Sequence, residues 1–488
     1  MSPDDDKPFR PGRAMWKRFL IGTLLIVFCA ATATSVAFVN EVDQVVNAFQ
    51  EGTGLDLSGE LAEADVGKPQ TIMLIGSDAR AKGATDYEAG ARSDTLILVR
   101  LDPAKKRTAL LSLPRDLKVQ IPGHGTDKLN AAYSIGGPKL TLKTVKNLTG
   151  LTVNHVVNVD FKGFREGVNA IDCVYADIDR SYFNNNVGVA MPYATINVPQ
   201  GYQKLCGSDA LDYVRYRHED SDLVRGARQQ DFIRQAKEQV GVGKIISDRR
   251  KLTKIFGRYT ESDLKSRKSI IRLLRLVAGM ASHPIAEIRF TGEAGPSYVT
   301  ISDKKMTKLV KDFLGTKESK GPRGTLEPKD PRKRRAAKKE ISNLETAKDA
   351  GQQQALAAIP EDPKIPIYYP TRRTRGALFG SQAPRVYDIK VGKRRYRSYR
   401  MTIRRDRALG EYYGLQGTQW KNPPILKGAD QKKKIGKRTF EIFYDGDRVR
   451  LVAWRTPEGV YWVSNTLLQT LSRSQMLTIA STTRVLGR

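Results

Sequence analysis

Cysteine and histidine are scarce in this 488-residue chain, which contains three Cys and four His. Cys29 lies inside a long apolar run, whereas Cys173 and Cys206 stand 33 residues apart in the sequence. Neither has His or Cys neighbours at the usual spacing of zinc ligands, which disfavours a zinc site. In an oxidising compartment the pair predicts a disulfide, which would contribute about 3–4 kcal/mol in the chain-entropy model.

Acidic residues are also in short supply, with 52 Asp and Glu against 83 Lys and Arg and a formal net charge of +31. Most of the excess lies in residues 315–488, which hold 38 basic and 16 acidic residues. A basic segment favours anionic partners such as nucleic acid, anionic lipid head groups or acidic wall polymers. Charge alone does not choose among them.

The N-terminus contains an uncharged run of 21 residues, Phe19–Val39, about enough to cross a bilayer as a helix. Basic residues precede it and Glu41 and Asp43 follow, so the positive-inside rule puts the N-terminus in the cytoplasm and the rest outside the cell membrane. A cleaved signal peptide is the alternative, because Ala31–Ala33 offers small residues at a plausible site. The run continues to Val39, which favours an uncleaved single-pass anchor. Export makes nucleic acid a poor partner and permits the disulfide.

Short β-branched or Leu-rich runs alternate with stretches of helical spacing after the anchor. Thr71–Ile75, Thr95–Leu101 and Thr108–Leu113 are strand candidates, and the pattern predicts an α/β fold with a mixed central sheet between helix layers. The predicted divisions are a cytoplasmic tail (1–18), a membrane helix (19–39), a stalk (40–69), a main α/β domain (70–314), a basic linker (315–360) and a separate, small α+β domain (361–488).

The C-terminal domain carries a hairpin signal, because Phe440–Tyr444 and Val449–Trp454 flank Asp445–Arg448. Val460–Val463 adds a third strand. The domain has no cluster of His, Cys and carboxylates, no Gly-rich phosphate loop and no nucleophile elbow. We therefore expect it to bind a partner rather than to catalyse a reaction, and its role stays open.

Acidic and basic side chains gather beside the first strand candidates. Asp78 and Asp94 flank two apolar runs, and Arg80, Arg92 and Arg115 stand close to them in the sequence. Carboxylates beside a sheet hold hard cations such as Mg2+, and Arg holds phosphate oxygens in bidentate fashion. The stretch indicates a site for a metal-bound phosphate or diphosphate, with a set of solvated loop charges as the alternative.

A second basic group lies on a predicted helix that begins near Asp222. Arg225, Arg228 and Gln229 follow helical spacing, so they share one face near the first turn. A helix N-terminus with Arg on one face favours an anion through its dipole and its charges. The alternative is a solvated basic face, and Arg215 and Arg217 point the same way only if their segment is extended.

Together these segments resemble the LytR-CpsA-Psr family of bacterial cell-envelope proteins over roughly residues 70–240. Any one motif is weak, but their order behind a single N-terminal span is specific. One departure is Val224, where the family often has Gly before the Arg. The matching segments are Gly76–Arg80, Arg92–Thr95, Leu113–Asp116, Lys128–Tyr133, Gly136–Pro138, Ala210–Arg217 and Asp222–Gln230.

The resemblance implies a phosphotransferase that moves a glycopolymer from a polyprenyl-diphosphate carrier onto peptidoglycan, forming a phosphodiester link. It implies Mg2+, or Mn2+ in its place, on Asp78 and Asp94. Phosphoryl transfer needs mainly positioning and charge stabilisation, and Asp94, Arg115 and Arg217 are the expected catalytic residues, with Asp94 accepting the proton of the acceptor hydroxyl. The expected diphosphate ligands are Arg80, Arg115, Lys128, Arg215, Arg217, Arg225, Arg228 and Gln229, with Arg92 as a weaker candidate.

A carrier of this kind requires an apolar slot beside the sheet, and Phe161, Phe164, Val168 and Ile171 are candidate liners, although each also fits an ordinary core. Two other functions stay open. One is a non-catalytic wall-binding or lipid-binding regulatory protein on the same scaffold, and the other is a polyprenyl-diphosphate pyrophosphatase in which water replaces the sugar acceptor.

Overall fold

The structure is a computed structural model of the whole chain. It describes residues 46–47, 50, 53–63, 65, 67–77, 93–187, 194–216, 221–240, 248–280, 283, 285–315, 340–380 and 383–487. The predicted membrane span and four predicted site residues (Asp78, Arg80, Arg92 and Arg217) lie outside these ranges. Within them, no helix has the length and apolar character needed to cross a membrane.

The N-terminal unit is built on a mixed sheet, as the sequence predicts. Its strands are β1 Thr53–Gly54, β2 Gln70–Ser77, β3 Ser93–Asp102, β4 Arg107–Ser112, β5 Lys118–Ile121, β6 Gly125–Lys128, β7 His155–Asp160, β8 Val174–Ile178, β9 Tyr182–Asn184, β10 Ile196–Val198, β11 Gly201–Leu205, β12 Thr260–Ser262, β13 Ile285–Ile288, β14 Glu293–Ala294 and β15 Val299–Thr300. Seven of them form the central sheet, in the order β1-β12-β7-β2-β3-β4-β13. The pair β2–β7 is parallel and the pairs β2–β3 and β3–β4 are antiparallel.

Helices cover both faces of this sheet. They are α1 Leu129–Thr149, α2 Phe161–Ala170, α3 Gly207–Arg215, α4 Asp222–Gln239, α5 Arg249–Tyr259, α6 Arg267–Met280 and α7 Asp303–Leu314. On one face, Leu142 of α1 and Phe313 of α7 join the core that contains Met73. On the other, Ile270 of α6 packs against Ile72. The sheet alternates its side chains between the two cores, which gives the predicted three-layer arrangement.

Local sequence explains several helix ends. The Asp160 side chain accepts a hydrogen bond from the Gly163 backbone N–H (2.6 Å) and so caps α2. α1 is kinked at Gly136 and Gly137, directly before Pro138, and ends at Gly150 in the left-handed region (φ 66°). The predicted helix at 139–148 is the half of α1 that follows the kink.

Cys173 and Cys206 are joined by a disulfide, as predicted. Cys173 directly precedes β8 and Cys206 directly follows β11, and these two strands pair antiparallel with Val174 opposite Leu205. The bond therefore closes one end of a hairpin-like pair and fixes the start of α3, whose N-cap is Cys206.

The C-terminal unit is a larger sheet than the predicted three strands. Its elements are β16 Leu344–Thr346, β17 Tyr368–Tyr369, β18 Arg372–Thr374, β19 Leu378–Phe379, β20 Arg385–Val391, β21 Arg394–Asp406, β22 Glu411–Thr418, β23 Gln431–Ile435, β24 Arg438–Asp445, β25 Arg448–Arg455, β26 Val460–Ser464 and β27 Arg484–Val485, with helices α8 Lys348–Leu356 and α9 Arg473–Ser481 and 3-10 turns at Ile359–Glu361 and Pro424–Leu426. An eight-stranded sheet runs β19-β21-β22-β26-β25-β24-β23, with β20 also paired to β21. The predicted hairpin is β24–β25.

The limits of this unit differ from the prediction. Leu344 and Ala355, which the sequence placed in the linker, are buried in the same core as Trp454 and Tyr461. β16 pairs with β18, so the ordered unit begins before residue 361. The predicted linker extends too far toward the C-terminus, because the segment is rich in charge and has few large apolar residues.

The C-terminal sheet packs directly on the N-terminal unit. Buried Asp177 at the end of β8 receives a hydrogen bond from Arg400 of β21 (Nη1 to Oδ1, 3.0 Å) and another from Trp462 of β26 (Nε1 to Oδ2, 3.2 Å). The Tyr202 ring contacts the Trp462 ring at 5.6 Å between centroids. The two units therefore share an interface of apolar and charged side chains.

Candidate active site

One edge of the central sheet brings together the end of β4 and the start of β3. Because β3 and β4 are antiparallel, Asp94 near the start of β3 and Arg115, three residues after β4, fall at the same edge. Arg115 Nη1 donates to Asp94 Oδ1 at 2.8 Å. The two residues with the strongest predicted roles in this part of the chain are thus in direct contact.

Two further carboxylates surround Arg115. Its Nε lies 3.6 Å from Asp116 Oδ2 and 4.0 Å from Asp222 Oδ1. Burial by itself lowers the pKa of the Arg115 guanidinium, but Asp94, Asp116 and Asp222 outweigh it and raise that pKa above its ordinary value. Arg115 is therefore a permanent cation at this edge.

The charges at this edge are not fully paired by hydrogen bonds. Arg115 Nε and Asp222 Oδ2 are buried, and neither has a hydrogen-bond partner among the described residues. Buried polar atoms ordinarily have partners. A buried donor on Arg115 and a buried acceptor on Asp222, both without hydrogen-bond partners among the described residues, are consistent with a site that binds a charged ligand.

Lys128 adds a second cation to the edge. Its Nζ lies 3.1 Å from Asp116 Oδ1. The backbone fixes this position, since Leu129 N–H donates to Leu117 O (2.9 Å) and Asn130 N–H to Arg115 O (3.0 Å). Lys128 thus reaches the carboxylate next to Arg115, and its contact with a diphosphate stays a prediction.

The first turn of α4 adds further polar and charged side chains to the group around Arg115. Ser221 caps the helix, its Oγ accepting from Val224 N–H at 3.4 Å. Arg225 is buried and pairs with Asp222. Gln229 Nε2 donates to Thr95 Oγ1 (2.8 Å) and to Val214 O (3.3 Å). Gln229 therefore links α4 to β3 directly beside Asp94.

Arg228 takes a different position from the predicted one. Its side chain is fully buried, and its Nη1 donates to Tyr213 O (3.1 Å) and Tyr216 O (3.0 Å). Its guanidinium carbon lies 4.4 Å from the centre of the Tyr182 ring. The structure does not bring Arg228 to the surface of the site, and its contact with a diphosphate stays a prediction. In the structure it holds the chain that leaves α3.

Arg215 lies at the last residue of α3, next to Val214, which accepts from Gln229. Its Nη2 pairs with Asp212 Oδ1 at 3.2 Å, and its guanidinium carbon lies 5.4 Å from the Phe161 ring centre. About a quarter of the side chain is exposed, so it is open to a ligand. Arg217 follows outside the described residues.

Asp116 and Asp222 are site residues that the sequence did not predict as such. Asp116 directly follows Arg115, and Asp222 stands three residues before Arg225 on the first turn of a helix. The spacing of Asp222 and Arg225 signals an ion pair on one face of a helix, whereas the direct neighbours Arg115 and Asp116 carry no such signal. The charge pattern singles out the cations that could bind phosphate and not the carboxylates that pair with them.

An apolar cavity of about 310 Å³ lies at the opposite end of the same sheet, between the strand ends and α6. Gln70, Pro103, Leu276 and Met280 are among its lining residues. The candidate liners on α2 do not line it: Val168 is buried in a core with β8 and α3, and Phe161, Phe164 and Ile171 pack against that core. They serve as helix-facing core, which was the alternative interpretation.

The structure is that of an α/β protein with a cluster of Arg, Lys and carboxylates at one edge of a mixed sheet. The chain belongs to the LytR_cpsA_psr family, whose sequence model matches residues 32–313. The family match ends at α7, so the C-terminal sheet lies beyond it.

The chain is also similar to two named transferases and to one solved structure. The chain is 30% identical over 309 residues to the polyisoprenyl-teichoic acid–peptidoglycan teichoic acid transferase TagT of Bacillus subtilis, covering 61% of this chain and 93% of that one. It is 29% identical over 320 residues to the TagU transferase of Oceanobacillus iheyensis, covering 62% and 95%. The crystal structure of B. subtilis TagT aligns with 27% identity and a TM-score of 0.41, covering 54% of this chain and 98% of that chain.

Proposed function

We propose that this protein is a membrane-anchored phosphotransferase that moves a glycopolymer from a polyprenyl-diphosphate carrier onto peptidoglycan. The observation that carries the proposal is the contact between Arg115 and Asp94 at the sheet edge, with Asp116, Lys128 and Asp222 grouped around it. The names of the sequence relatives, which are teichoic acid transferases, supply the substrate class.

The proposed reaction is a phosphoryl substitution. The oxygen of a peptidoglycan hydroxyl bonds to the phosphorus that carries the glycopolymer, and the bond from that phosphorus to the polyprenyl phosphate breaks. The products are a phosphodiester and polyprenyl monophosphate. Asp94 accepts the hydroxyl proton, and Arg115 and Lys128 stabilise the charge on the phosphate oxygens.

The α4 terminus supports binding of the second phosphate. Arg225 and the positive end of the α4 dipole add positive charge beside Arg115. Gln229 fixes α4 against β3, so that these groups stay in register with Asp94. Arg215 completes the ligand set from α3, together with the predicted Arg80 and Arg217.

A divalent cation, Mg2+ or Mn2+, is part of the proposal. Carboxylate oxygens are the donors that hard cations take, and Asp94 provides such a group, with Asp78 as its predicted partner. Among the described residues no group of three or more His, Cys, Asp or Glu is arranged to hold a metal, so diphosphate oxygens would fill part of its coordination. Such a cation would neutralise charge on the diphosphate.

The carrier chain is proposed to lie on the α6 side of the sheet. Leu74, Val99 and Val159 are partly buried there, between the Asp94 edge and the apolar cavity beside Met280. The six residue steps from Thr95 to Leu101 along β3 span about 20 Å. An isoprenoid chain of several units fits that length, with its diphosphate at the polar end.

The test is transfer by the full chain from a polyprenyl-diphosphate glycan to peptidoglycan fragments with Mg2+. We expect Arg115→Ala to lower kcat/KM by about 10²–10³-fold, because a charge-stabilising donor is lost, and Asp94→Asn to lower it as well. Arg395→Ala, at an exposed position of β21, is the matched control. Undiminished transfer by Arg115→Ala would show that the site is assigned wrongly.

A further inference from the structure

The outward side of α6 is neither fully polar nor covered. Ile270 and Met280 point into the core, yet Leu274 is 36% exposed and Val277 42% exposed. A surface helix ordinarily turns polar residues to water. We call this surface, formed by Lys268, Leu274, Arg275, Val277 and Ala278, the α6 outer face.

The same helix has charge of one sign only. Its sequence contains Arg267, Lys268, Arg272 and Arg275 and no Asp or Glu. From residue 249 to 280 there are ten Lys and Arg against two acidic residues. Both acids are engaged elsewhere, since Asp263 bonds His155 (2.8 Å) and Glu261 bonds Asn158 (3.0 Å).

The chain enters the fold beside this helix. Val46 is buried in the core cluster that contains Ile270 and Met280, and Gln50 Nε2 donates to Lys265 O at 3.0 Å. Val39, the last residue of the uncharged run, is seven residues before Val46. Seven residues reach at most about 25 Å, so α6 lies within that distance of the end of the run.

We propose that the α6 outer face lies on the membrane and binds anionic phospholipid head groups. Lys268 and Arg275 contact the head groups, while Leu274 and Val277 enter the boundary with the acyl chains, as in interfacial helices. The proposal rests on the membrane anchoring proposed above. In this orientation the cavity beside α6, which Arg275 and Leu276 also line, faces the bilayer from which a carrier lipid arrives.

The experiment places a fluorophore on the full chain in nanodiscs whose lipids have brominated acyl chains. With Cys29 replaced by Ser, the label is attached at Val277→Cys. The matched control is Thr307→Cys, an exposed residue on α7, which covers the opposite face of the sheet. Discs are made of phosphatidylcholine alone or mixed with phosphatidylglycerol.

We expect at least about twofold stronger quenching at position 277 than at position 307, and more in discs with phosphatidylglycerol. Lys268→Glu with Arg275→Glu should remove the phosphatidylglycerol effect, whereas Lys304→Glu with Lys308→Glu on α7 should not. Equal, weak quenching at 277 and 307 would overturn the proposal.

Labelling native Cys29 in the otherwise unchanged chain separates this inference from the anchoring. If Cys29 is quenched and position 277 is not, the anchor stands and the α6 proposal is wrong. If neither is quenched, both are wrong. If position 277 alone is quenched, surface binding stands without a membrane span.

Discussion

The contact between Arg400 and Asp177 gives the sharpest test of how the C-terminal sheet is held. The Arg400 side chain is about 1% exposed and that of Asp177 about 7%. Arg400→Met keeps the apolar stem and removes the charge, which leaves a buried carboxylate with the Trp462 indole as its remaining side-chain partner. Breaking one partner of a buried ion pair costs about 3–5 kcal/mol, so we expect the unfolding free energy to fall by that amount.

The assay is urea unfolding of the full chain, followed by tryptophan fluorescence and by circular dichroism in parallel. Arg395→Met, on the same strand but exposed, should change the free energy by no more than about 0.5 kcal/mol. The double variant Arg400→Met with Asp177→Asn should be less destabilised than the two single variants added together, by about 1–3 kcal/mol. A loss below about 1 kcal/mol for Arg400→Met, or simple additivity in the double variant, would refute the argument that the stranded carboxylate causes the effect.

Two other outcomes follow from buried groups. Replacing Cys173 and Cys206 by Ser should lower the unfolding free energy by about 2–5 kcal/mol. Reductant should destabilise the native chain by the same amount and leave the stability of the variant unchanged. A variant as stable as the native chain would contradict this prediction. Burial raises the pKa of Glu287 above its ordinary value although Arg234 and Arg289 face it, so the folded state favours its protonated form. Its contribution is therefore complete below the ordinary pKa of a glutamate and is lost as pH rises through the folded-state pKa. Glu287→Gln should make the urea midpoint of unfolding depend less on pH between about pH 4 and pH 8. The same pH dependence in the variant and in the native chain would contradict the raised pKa of Glu287.

The sequence predicts the central strands of the N-terminal unit well, for physical reasons. The strands at β2, β3 and β4 are short apolar runs bounded by Gly, Asp or Pro, and a strand buried on both faces has just this pattern. Asp94 and Arg115 were each predicted as site residues because they stand beside strand candidates, but their ion pair was not predicted. Their contact required only that β3 and β4 be neighbours.

The prediction for Arg228 shows what helical spacing leaves out. Its position on α4 follows the spacing of Arg225 and Gln229, but its partners are carbonyl groups at the end of α3 and the ring of Tyr182 on β9. Those groups come from distant parts of the chain. The spacing of residues within one helix therefore shows which of them share a face, but it does not show which other elements pack against that face.

The C-terminal sheet was underestimated for a related reason. β21 contains seven Arg or Asp residues among thirteen, a composition typical of loops rather than of a central strand. Arg400 is nevertheless fully buried, because Asp177 of the other unit neutralises it. The sequence of β21 alone carries no sign of that partner, so neither the strand nor the interface was predicted.

The central claim is transfer at the Arg115–Asp94 edge, and the most direct measurement is product analysis of a single reaction. The full chain is supplied with polyprenyl-diphosphate glycan, Mg2+ and peptidoglycan fragments, and the products are identified by mass spectrometry. We predict equal amounts of polyprenyl monophosphate and of a peptidoglycan fragment joined to the glycan through one phosphodiester, and both should form about 10²–10³-fold more slowly with Arg115→Ala. Release of glycan phosphate without a joined product, in the presence of the acceptor, would show a hydrolase and contradict the proposed function.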